Sequence, residues 1–377
     1  MTFPKLLSRI SLGIIFASCL LGAAQASNKD QLIFAVDIIR HGDRTPTSNL
    51  PAAPHVWEQG LGQLTPLGMQ QEHALGEKIH NRYVNNLLPD TYQAGTMYVR
   101  SSDLDRTLMS AQCVCLGLYP LGTGPLIGLK KKSMTDALPS GFQTIPIHTV
   151  TRTQEPLLIC DDDKNTAISY NFNDLLKTYV FSTPEWQAKE AALKPHFEAW
   201  SAATGKPIKC LYDLKPIADA LSISRSNNLP MPTGLSDNDA TTIIDAGHWA
   251  FVNAFKNPTL GKVTGAPLLQ EVLKYFTNAT KDPASQAPEL PSKYVLFSAH
   301  DSTILSEMTA LGAPRDEVPP YSSDLNISLF SSGNNGYYVM VTYNDQPITL
   351  PCNGSTTCSW ELFKTTFATP STALPSH

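Results

Sequence analysis

Residues 31–39, with the sequence QLIFAVDII, form a near-continuous apolar run that is interrupted by one aspartate, Asp37. A strand with one solvated face would alternate apolar and polar residues, so this run predicts a strand that is buried on both faces. Such strands are typical of parallel sheets that carry helices on both sides. The run therefore predicts an α/β fold with a mostly parallel central sheet flanked by helices.

Helix and strand signals continue along the chain in a pattern that fits this class. Thr65 and Pro66 predict the start of a helix, because Thr caps backbone amides and Pro is favoured at the first helical position. Ser102 and Asp103 predict the cap of a second helix, which extends over residues 107–118. Further strands are predicted at 96–99, 143–150 and 294–299, with hairpin-like strands over 326–350 and turns at 333–336 and 344–345.

The middle of the chain differs from its two ends. Residues 155–288 hold helical stretches, 183–204 and 237–255, which are broken by loops that contain Pro and Gly. We expect this part to be a mainly α-helical insertion, or cap. Residues 27–154 together with 289–377 then form the α/β catalytic domain.

Residues 1–26 have the pattern of a signal peptide. Lys5 and Arg9 supply positive charge, residues 10–24 are apolar or small, and the Ala-Gln-Ala that ends at Ala26 fits a cleavage site. This pattern predicts a secreted or periplasmic protein.

Two other uses of this segment stay open. An uncleaved anchor is disfavoured, because the apolar stretch is shorter than the about 20 residues that a bilayer span needs. A lipoprotein would use Cys19, whose neighbours fit a lipidation site poorly. Apart from this segment, the sequence predicts no membrane span.

The overall charge limits the partners. The chain has 377 residues, a formal net charge of −5 and no basic run, which argues against a nucleic-acid partner. Any anion site must come from a local cluster of cations. The sequence leaves the oligomeric state open, a homodimer included.

An even number of cysteines follows residue 26, which in an exported chain indicates disulfides. These cysteines are Cys113, Cys115, Cys160, Cys210, Cys352 and Cys358. Cys352 and Cys358 bracket a turn-like segment and form the predicted pair, and Cys160 with Cys210 is a second predicted pairing. The remaining two lie in a predicted helix and are expected to be buried free thiols.

The segment Arg-His-Gly-Asp-Arg-Thr-Pro, residues 40–46, follows the buried strand directly. In open α/β sheets, ligands bind beyond the carboxyl ends of the strands. Arg40 and Arg44 can each offer paired donors to phosphate oxygens. Between them, His41 is pushed towards its neutral, nucleophilic form by like charge. The segment therefore predicts a phosphate site that contains a histidine nucleophile.

This motif resembles that of the histidine acid phosphatase family, within the phosphoglycerate-mutase-like group. Residues 64–71, 98–107 and 298–303 resemble three further segments of that family in the same order, so the resemblance spans nearly the whole chain after residue 26. The insertion resembles the family only weakly. Asp43, and the Ser-Thr that follows the His-Asp of the last segment, are closer to the prostatic-type, broad-specificity branch.

The resemblance implies a role for each matching residue. His41 would attack phosphorus and become phosphohistidine, and Asp301 would be the general acid for the leaving group. The residues that would bind the phosphate are Arg40, Arg44, Arg100 and His300. The implied substrates are small phosphomonoesters, and the implied reaction uses no metal and no cofactor. A protonated Asp301 and a protonated His300 would suit an acidic pH optimum.

Four other functions remain as alternatives. A phytase is disfavoured by Asp43, whose negative charge is expected near the pocket. The sequence Asp103-Leu-Asp105-Arg-Thr matches the signature of Mg-dependent, aspartate-nucleophile phosphatases. A mutase would share the Arg-His-Gly element, and a non-catalytic surface protein could retain a phosphate pocket.

Other candidate residues give weaker signals. His148 either lines the pocket or is a core histidine, and the second is preferred. The other histidines, which include His248, carry no recognisable spacing and are expected to be structural or on the surface. Three aromatic residues of the insertion are expected to pack inside it: Tyr170, Tyr179 and Trp186.

Overall fold

The computed structural model describes residues 30–128, 134–333 and 336–368. The predicted signal peptide lies outside these residues, as do two positions of the predicted turn at 333–336. Among the described residues, no helix is long and apolar enough to cross a membrane.

The described strands and helices follow the order that the sequence predicts. The strands are β1 (Gln31–Arg40), β2 (Met97–Ser101), β3 (Leu126–Ile127), β4 (Thr135–Asp136), β5 (Ile147–His148), β6 (Tyr294–Ala299), β7 (Asp324–Ser331), β8 (Tyr337–Tyr343), β9 (Gln346–Pro347) and β10 (Thr357–Ser359). The helices are α1 (Pro66–Tyr83), α2 (Asp105–Leu118), α3 (Phe172–Leu175), α4 (Pro184–Leu193), α5 (Phe197–Thr204), α6 (Leu214–Ser226), α7 (Asp237–Lys256), α8 (Pro258–Ala279), α9 (Asp301–Ala310) and α10 (Trp360–Phe367).

The main sheet has the strand order β10-β8-β7-β1-β6-β2-β5, and β9 pairs with β8. Strands β1, β6, β2 and β5 are parallel to one another, whereas β7, β8, β9 and β10 join as antiparallel strands. The predicted α/β class with a parallel centre and flanking helices is confirmed. The predicted hairpin near the end of the chain forms the antiparallel side.

Strand β1 is buried on both faces, as its apolar run predicts. Phe34, Val36 and Ile38 pack on one face with α8, α9 and α10. Ala35 and Ile39 pack on the other face with α1 and α2. Successive side chains of a strand point to opposite faces, so continuous apolarity is the signature of a strand between two helical layers.

The aspartate that interrupts this run is buried in a polar network. The carboxylate of Asp37 accepts hydrogen bonds from the Tyr294 hydroxyl at 2.8 Å, from Asn326 Nδ2 at 2.8 Å and from Arg82 at 3.1 Å. A buried carboxylate is tolerated when it is paired and hydrogen-bonded, and this one joins α1 to three strands.

Helices α3 to α7 surround a second apolar core that includes Trp186, Trp200 and Phe251. Tyr170 and Tyr179 pack against the same core, so the predicted packing of the aromatic residues is confirmed. Helix α8 differs, because its Leu268, Val272 and Phe276 pack on the sheet. We therefore propose that the cap ends near residue 256, and that α8 belongs to the α/β domain.

Two local predictions are wrong. Ser102 and Asp103 do not cap α2, which begins at Asp105 with Leu104 at its N-cap and no side-chain cap. The Ser102 hydroxyl is within 2.9 Å of the Thr107 hydroxyl instead. The strand predicted at 143–150 is limited to the two residues of β5, at an edge of the sheet where most neighbouring residues are exposed.

The disulfide between Cys352 and Cys358 is present, as predicted. The second predicted pairing is wrong, because Cys160 and Cys210 are both free thiols. Cys160 is buried, and its sulfur lies 3.3 Å from the Ser306 hydroxyl. The thiols of α2 are also free, one buried and one half-buried.

Helices α1 and α2 approach each other at a pair of glycines. A Cβ on Gly76 would lie 2.2 Å from the carbonyl oxygen of Val114, and a Cβ on Gly117 would lie 2.2 Å from that of His73. Backbone cannot move aside as a flexible side chain can, so a methyl group at either glycine must push the helices apart.

We expect Gly76→Ala to lower the free energy of unfolding by about 1–3 kcal/mol, because overpacking displaces α1 from α2. Urea denaturation monitored by circular dichroism measures this change. The control is Gln70→Ala at an exposed position of α1, which should stay within about 0.5 kcal/mol of wild type. Equal stabilities for the two variants would contradict the close approach.

Candidate active site

A cavity of about 850 Å³ opens where the sheet meets the cap. The α/β domain contributes residues that directly follow strand ends, and the cap contributes residues of α6 and α7. Six lining residues concern the predicted chemistry: Arg40, His41, Arg44, Arg106, His300 and Asp301.

The sheet register brings the strand ends together. Arg40 at the end of β1 pairs with Ala299 at the end of β6, and Ser101 of β2 pairs with Ser298. Beyond the strands, the His41 amide donates to the Ala299 carbonyl at 3.1 Å. Because the strands are parallel, the motif at 40–46 and the His-Asp pair at 300–301 lie at the same edge of the sheet, where its strands end. Ligands bind at this edge in α/β folds.

The loop after β1 also lies directly against α1. A Cβ on Gly42 would be 2.5 Å from the Gly68 carbonyl oxygen, so this contact requires glycine. Asp43 adds a second contact between this loop and α1, because its carboxylate accepts a 2.6 Å hydrogen bond from the Thr65 hydroxyl at the N-terminus of the helix. Asp43 does not itself line the cavity, but its expected negative charge lies near enough to act on Tyr321, which does line it.

His41 is buried, and its ring has a defined orientation. Nδ1 lies 2.9 Å from the carbonyl oxygen of Gly42. A carbonyl oxygen only accepts, so Nδ1 carries the proton and the lone pair is on Nε2. Burial, followed by the charges of Arg106, Arg44 and Arg40, holds the pKa of His41 well below its ordinary value of 6.5. The imidazole is therefore neutral and can act as a nucleophile.

Arg40 and Arg44 are each fixed by a carboxylate. The Arg40 guanidinium lies 2.9 Å from Asp301, donates to the Pro319 carbonyl and stacks over the Tyr321 ring at 4.1 Å. The Arg44 guanidinium donates two 3.0 Å bonds to Asp219 of α6. Each carboxylate offsets charge repulsion between the arginines and sets the direction of one guanidinium.

The third cation at the cavity is Arg106, not Arg100 as the sequence predicts. Arg100 donates to both carboxylate oxygens of the buried Glu155, at 2.8 and 2.9 Å, and does not line the cavity. Arg106 stands on the first turn of α2 and lines the cavity. Burial and the charge of Arg44 lower its pKa to about 10, so it stays charged at neutral pH.

His300 and Asp301 both line the cavity, where the sequence places them. His300 Nε2 is 2.8 Å from the Ser102 hydroxyl, and burial together with Arg106 lowers its pKa well below 6.5. Burial alone would raise the pKa of Asp301, but Arg40 and Lys215 hold it well below the ordinary value. Thus His300 is neutral and Asp301 is ionised at neutral pH, and the protonated forms that would suit an acidic pH optimum stay a prediction.

Several residues at the cavity were missed or placed differently in the sequence analysis. The missed ones include Arg106, Arg152, Asp161, Asp162, Asp219, Lys215, Tyr321 and His248, the last of which was expected to be structural or on the surface. His148 is exposed and stacks on Tyr98 at 4.7 Å, so it is neither a core nor a pocket histidine. Asp103 and Asp105 are exposed and do not line the cavity, so neither could attack a phosphate bound there.

Comparison with known proteins agrees with this fold and cavity. The sequence model of the histidine phosphatase superfamily (branch 2) matches residues 31–344. Prostatic acid phosphatase of Mus musculus is 29% identical over 383 residues, which is 96% of this chain and 92% of that protein. Testicular acid phosphatase of Homo sapiens is 30% identical over 318 residues, which is 78% of this chain and 66% of that protein.

Solved structures show the same fold at lower identity. A phytase from Klebsiella superposes with a TM-score of 0.62 at 19% identity, over 92% of this chain and all of that one. A phytase from Hafnia alvei in complex with tartrate has a TM-score of 0.61 at 17% identity, over 93% of this chain and 100% of that one.

The fold, the cavity and these relatives define a phosphoric monoester hydrolase. The chain belongs to the histidine phosphatase superfamily (branch 2). The two sequence relatives, from Mus musculus and Homo sapiens, are acid phosphatases, and the predicted resemblance to this family is confirmed.

We expect Arg106→Gln to weaken the binding of inorganic phosphate by about 10- to 100-fold, because it removes one set of charge-assisted hydrogen bonds. Arg100→Gln should change the affinity less than about threefold and should instead lower stability, since Glu155 loses its buried partner. Isothermal titration with phosphate measures the affinities. A larger loss of affinity for Arg100→Gln than for Arg106→Gln would contradict the assignment.

Proposed function

We propose that this protein hydrolyses small phosphomonoesters in two steps through a phosphohistidine on His41. The observation that supports this most is that His41 is a buried, neutral imidazole whose Nε2 is unprotonated. It lies among three guanidinium groups at the carboxyl ends of the parallel strands. Phosphoryl transfer depends mainly on positioning and on neutralisation of charge on the phosphoryl oxygens. This cavity supplies both.

In the first step, Arg40, Arg44 and Arg106 bind the phosphoryl oxygens, and His300 stands beside them. Nε2 of His41 forms a bond to phosphorus while the bond from phosphorus to the ester oxygen breaks. The departing alkoxide takes a proton from Asp301. In the second step, water attacks phosphorus, the P–N bond breaks, and Asp301 accepts a proton from the water.

Asp301 must carry a proton for the first step, although Arg40 keeps it ionised in the structure. A bound phosphate offsets the charge of the same arginines that hold the pKa of Asp301 low, so its pKa rises when substrate is present. Acid solution favours this protonation further. An acidic optimum therefore remains our proposal, with the substrate's own charge as its physical cause.

The alternatives receive less support. An Mg-dependent phosphatase would need an aspartate nucleophile in the cavity, but Asp103 and Asp105 are exposed outside it. A non-catalytic phosphate-binding protein would not need an oriented nucleophile opposite a carboxyl group. A phytase stays the second candidate, because phytases share the fold at a TM-score of 0.62.

We also propose that residues 1–26 direct export, which gives a secreted or periplasmic enzyme that acts on small esters outside the cytoplasm. The pattern of charge, apolar stretch and small-residue site supports this.

We expect His41→Ala to lower kcat for p-nitrophenyl phosphate by at least about a thousandfold, because no other group takes over the nucleophile's role. Asp301→Asn should slow poor leaving groups, such as alkyl phosphates, far more than p-nitrophenyl phosphate, which needs little protonation. Initial rates with EDTA present measure both effects. Activity that EDTA abolishes, or that survives in His41→Ala, would contradict the mechanism.

The pH profile provides a separate check. A His41 pKa held below 6.5 means that the imidazole stays neutral, and kcat/KM is retained, as the pH falls below 6.5. Arg106→Gln removes one charge that lowers this pKa, so the acid limb of its profile should move to higher pH. An acid limb at 6.5 in wild type, unmoved in the variant, would contradict the electrostatic argument.

A further inference from the structure

The cavity contains two cations in addition to the three arginines around His41. Lys215 stands on α6, and Arg152 lies in the loop between β5 and α3. Each is paired with one of two consecutive aspartates of that loop. Lys215 Nζ is 3.2 Å from the Asp161 carboxylate, and the Arg152 guanidinium is 2.8 Å from that of Asp162.

These pairs are fixed by further contacts. The Ser302 hydroxyl donates to Asp161 at 3.3 Å, and Lys215 Nζ lies 4.2 Å from the centroid of the Phe251 ring. Arg152 also donates through Nε to the same Asp162 oxygen at 2.9 Å, so one carboxylate oxygen accepts from two guanidinium nitrogens. Burial would lower the pKa of Lys215, but Tyr212 and Asp161 raise it above its ordinary value, so Lys215 stays an ammonium group.

The charges of the cavity therefore nearly cancel outside the phosphate site. Four lining cations have a carboxylate partner: Arg40 with Asp301, Arg44 with Asp219, Lys215 with Asp161 and Arg152 with Asp162. Among the described residues that line the cavity, Arg106 is the cation without such a partner. In the proposed mechanism, one bound phosphoryl group would contact Arg106 together with Arg40 and Arg44.

A second phosphate on the substrate would meet a different environment. Its oxygens would approach Lys215 and Arg152 with Asp161 and Asp162 beside them, so each carboxylate would offset the attraction of its cation and repel the second phosphate. If the phosphate displaced Asp161, the partly buried pair of Asp161 with Lys215 would be broken and a buried charge would lose its partner.

We propose that Asp161 and Asp162 are specificity determinants, which restrict the enzyme to phosphomonoesters whose leaving group carries no second phosphate. This inference rests on the proposed function and names its substrate class. It places the discrimination against highly phosphorylated substrates in the loop after Cys160, whereas the sequence analysis attributed it to Asp43.

The test compares kcat/KM for fructose 6-phosphate and fructose 1,6-bisphosphate, measured as initial release of phosphate. Wild type should prefer the monophosphate. Asp161→Asn and Asp162→Asn should each raise the ratio of kcat/KM for the bisphosphate to kcat/KM for the monophosphate by about tenfold, because each variant frees one cation. A tenfold change corresponds to about 1.4 kcal/mol. Their kcat/KM for fructose 6-phosphate should stay within about threefold of wild type, which also shows that they fold.

Two control variants sharpen the comparison. Asp174→Asn removes the same charge from an exposed position outside the cavity lining, and should leave the ratio unchanged. Asp161→Asn combined with Lys215→Met removes the freed cation, and should lose the gain of the single variant. The gain should also shrink at high salt, as a charge effect does.

Equal efficiency of wild type on the two substrates would overturn the inference, as would ratios that Asp161→Asn and Asp162→Asn leave unchanged. If the raised kcat/KM ratio of Asp161→Asn persists when Lys215→Met is added, the role of the pair between Asp161 and Lys215 is overturned. The proposed function fails separately, if His41→Ala still hydrolyses fructose 6-phosphate.

Discussion

The repulsion among three guanidinium groups around one buried imidazole is the interaction on which the rest of the site depends. Like charges that are close together in a buried site repel one another, and ion-pair partners offset that repulsion. Asp301 holds Arg40, and Asp219 holds Arg44 with two bonds of 3.0 Å. These partners come from α9 and from the cap, so parts of the chain far apart in sequence stabilise the same cluster.

The same cluster explains the protonation states and the role of the cap. Burial and positive charge keep His41 neutral, and positive charge keeps Asp301 ionised against the effect of burial. In the proposed mechanism, a bound phosphate cancels part of that charge and allows Asp301 to carry a proton. The cap is then part of the charge balance as well as a cover, because Asp219 fixes Arg44 and Lys215 pairs with Asp161.

The sequence predicts the parts of this structure that local patterns encode. A continuous apolar run identified β1, and the residues that directly follow β1 and β6 placed His41 and Asp301 at the cavity. Arg100 and Arg106 could not be told apart by sequence, since both lie near the junction of β2 and α2 and only the distant Glu155 shows which one faces away. Asp219 carried no local signal, because one carboxylate on an amphipathic helix is usually a solvated residue. Protonation states depend on charges assembled by the fold, so the lowered pKa values of His300 and Asp301 could not be read from the sequence.

The most direct test of the proposed mechanism is to trap the covalent intermediate. Enzyme quenched in alkali during turnover of p-nitrophenyl phosphate would be digested and analysed by mass spectrometry. Our account predicts an acid-labile, alkali-stable phosphoryl group on the peptide that contains His41, and none on the corresponding peptide of His41→Ala. A phosphoryl group on an aspartate, or turnover without any phosphorylated peptide, would contradict it.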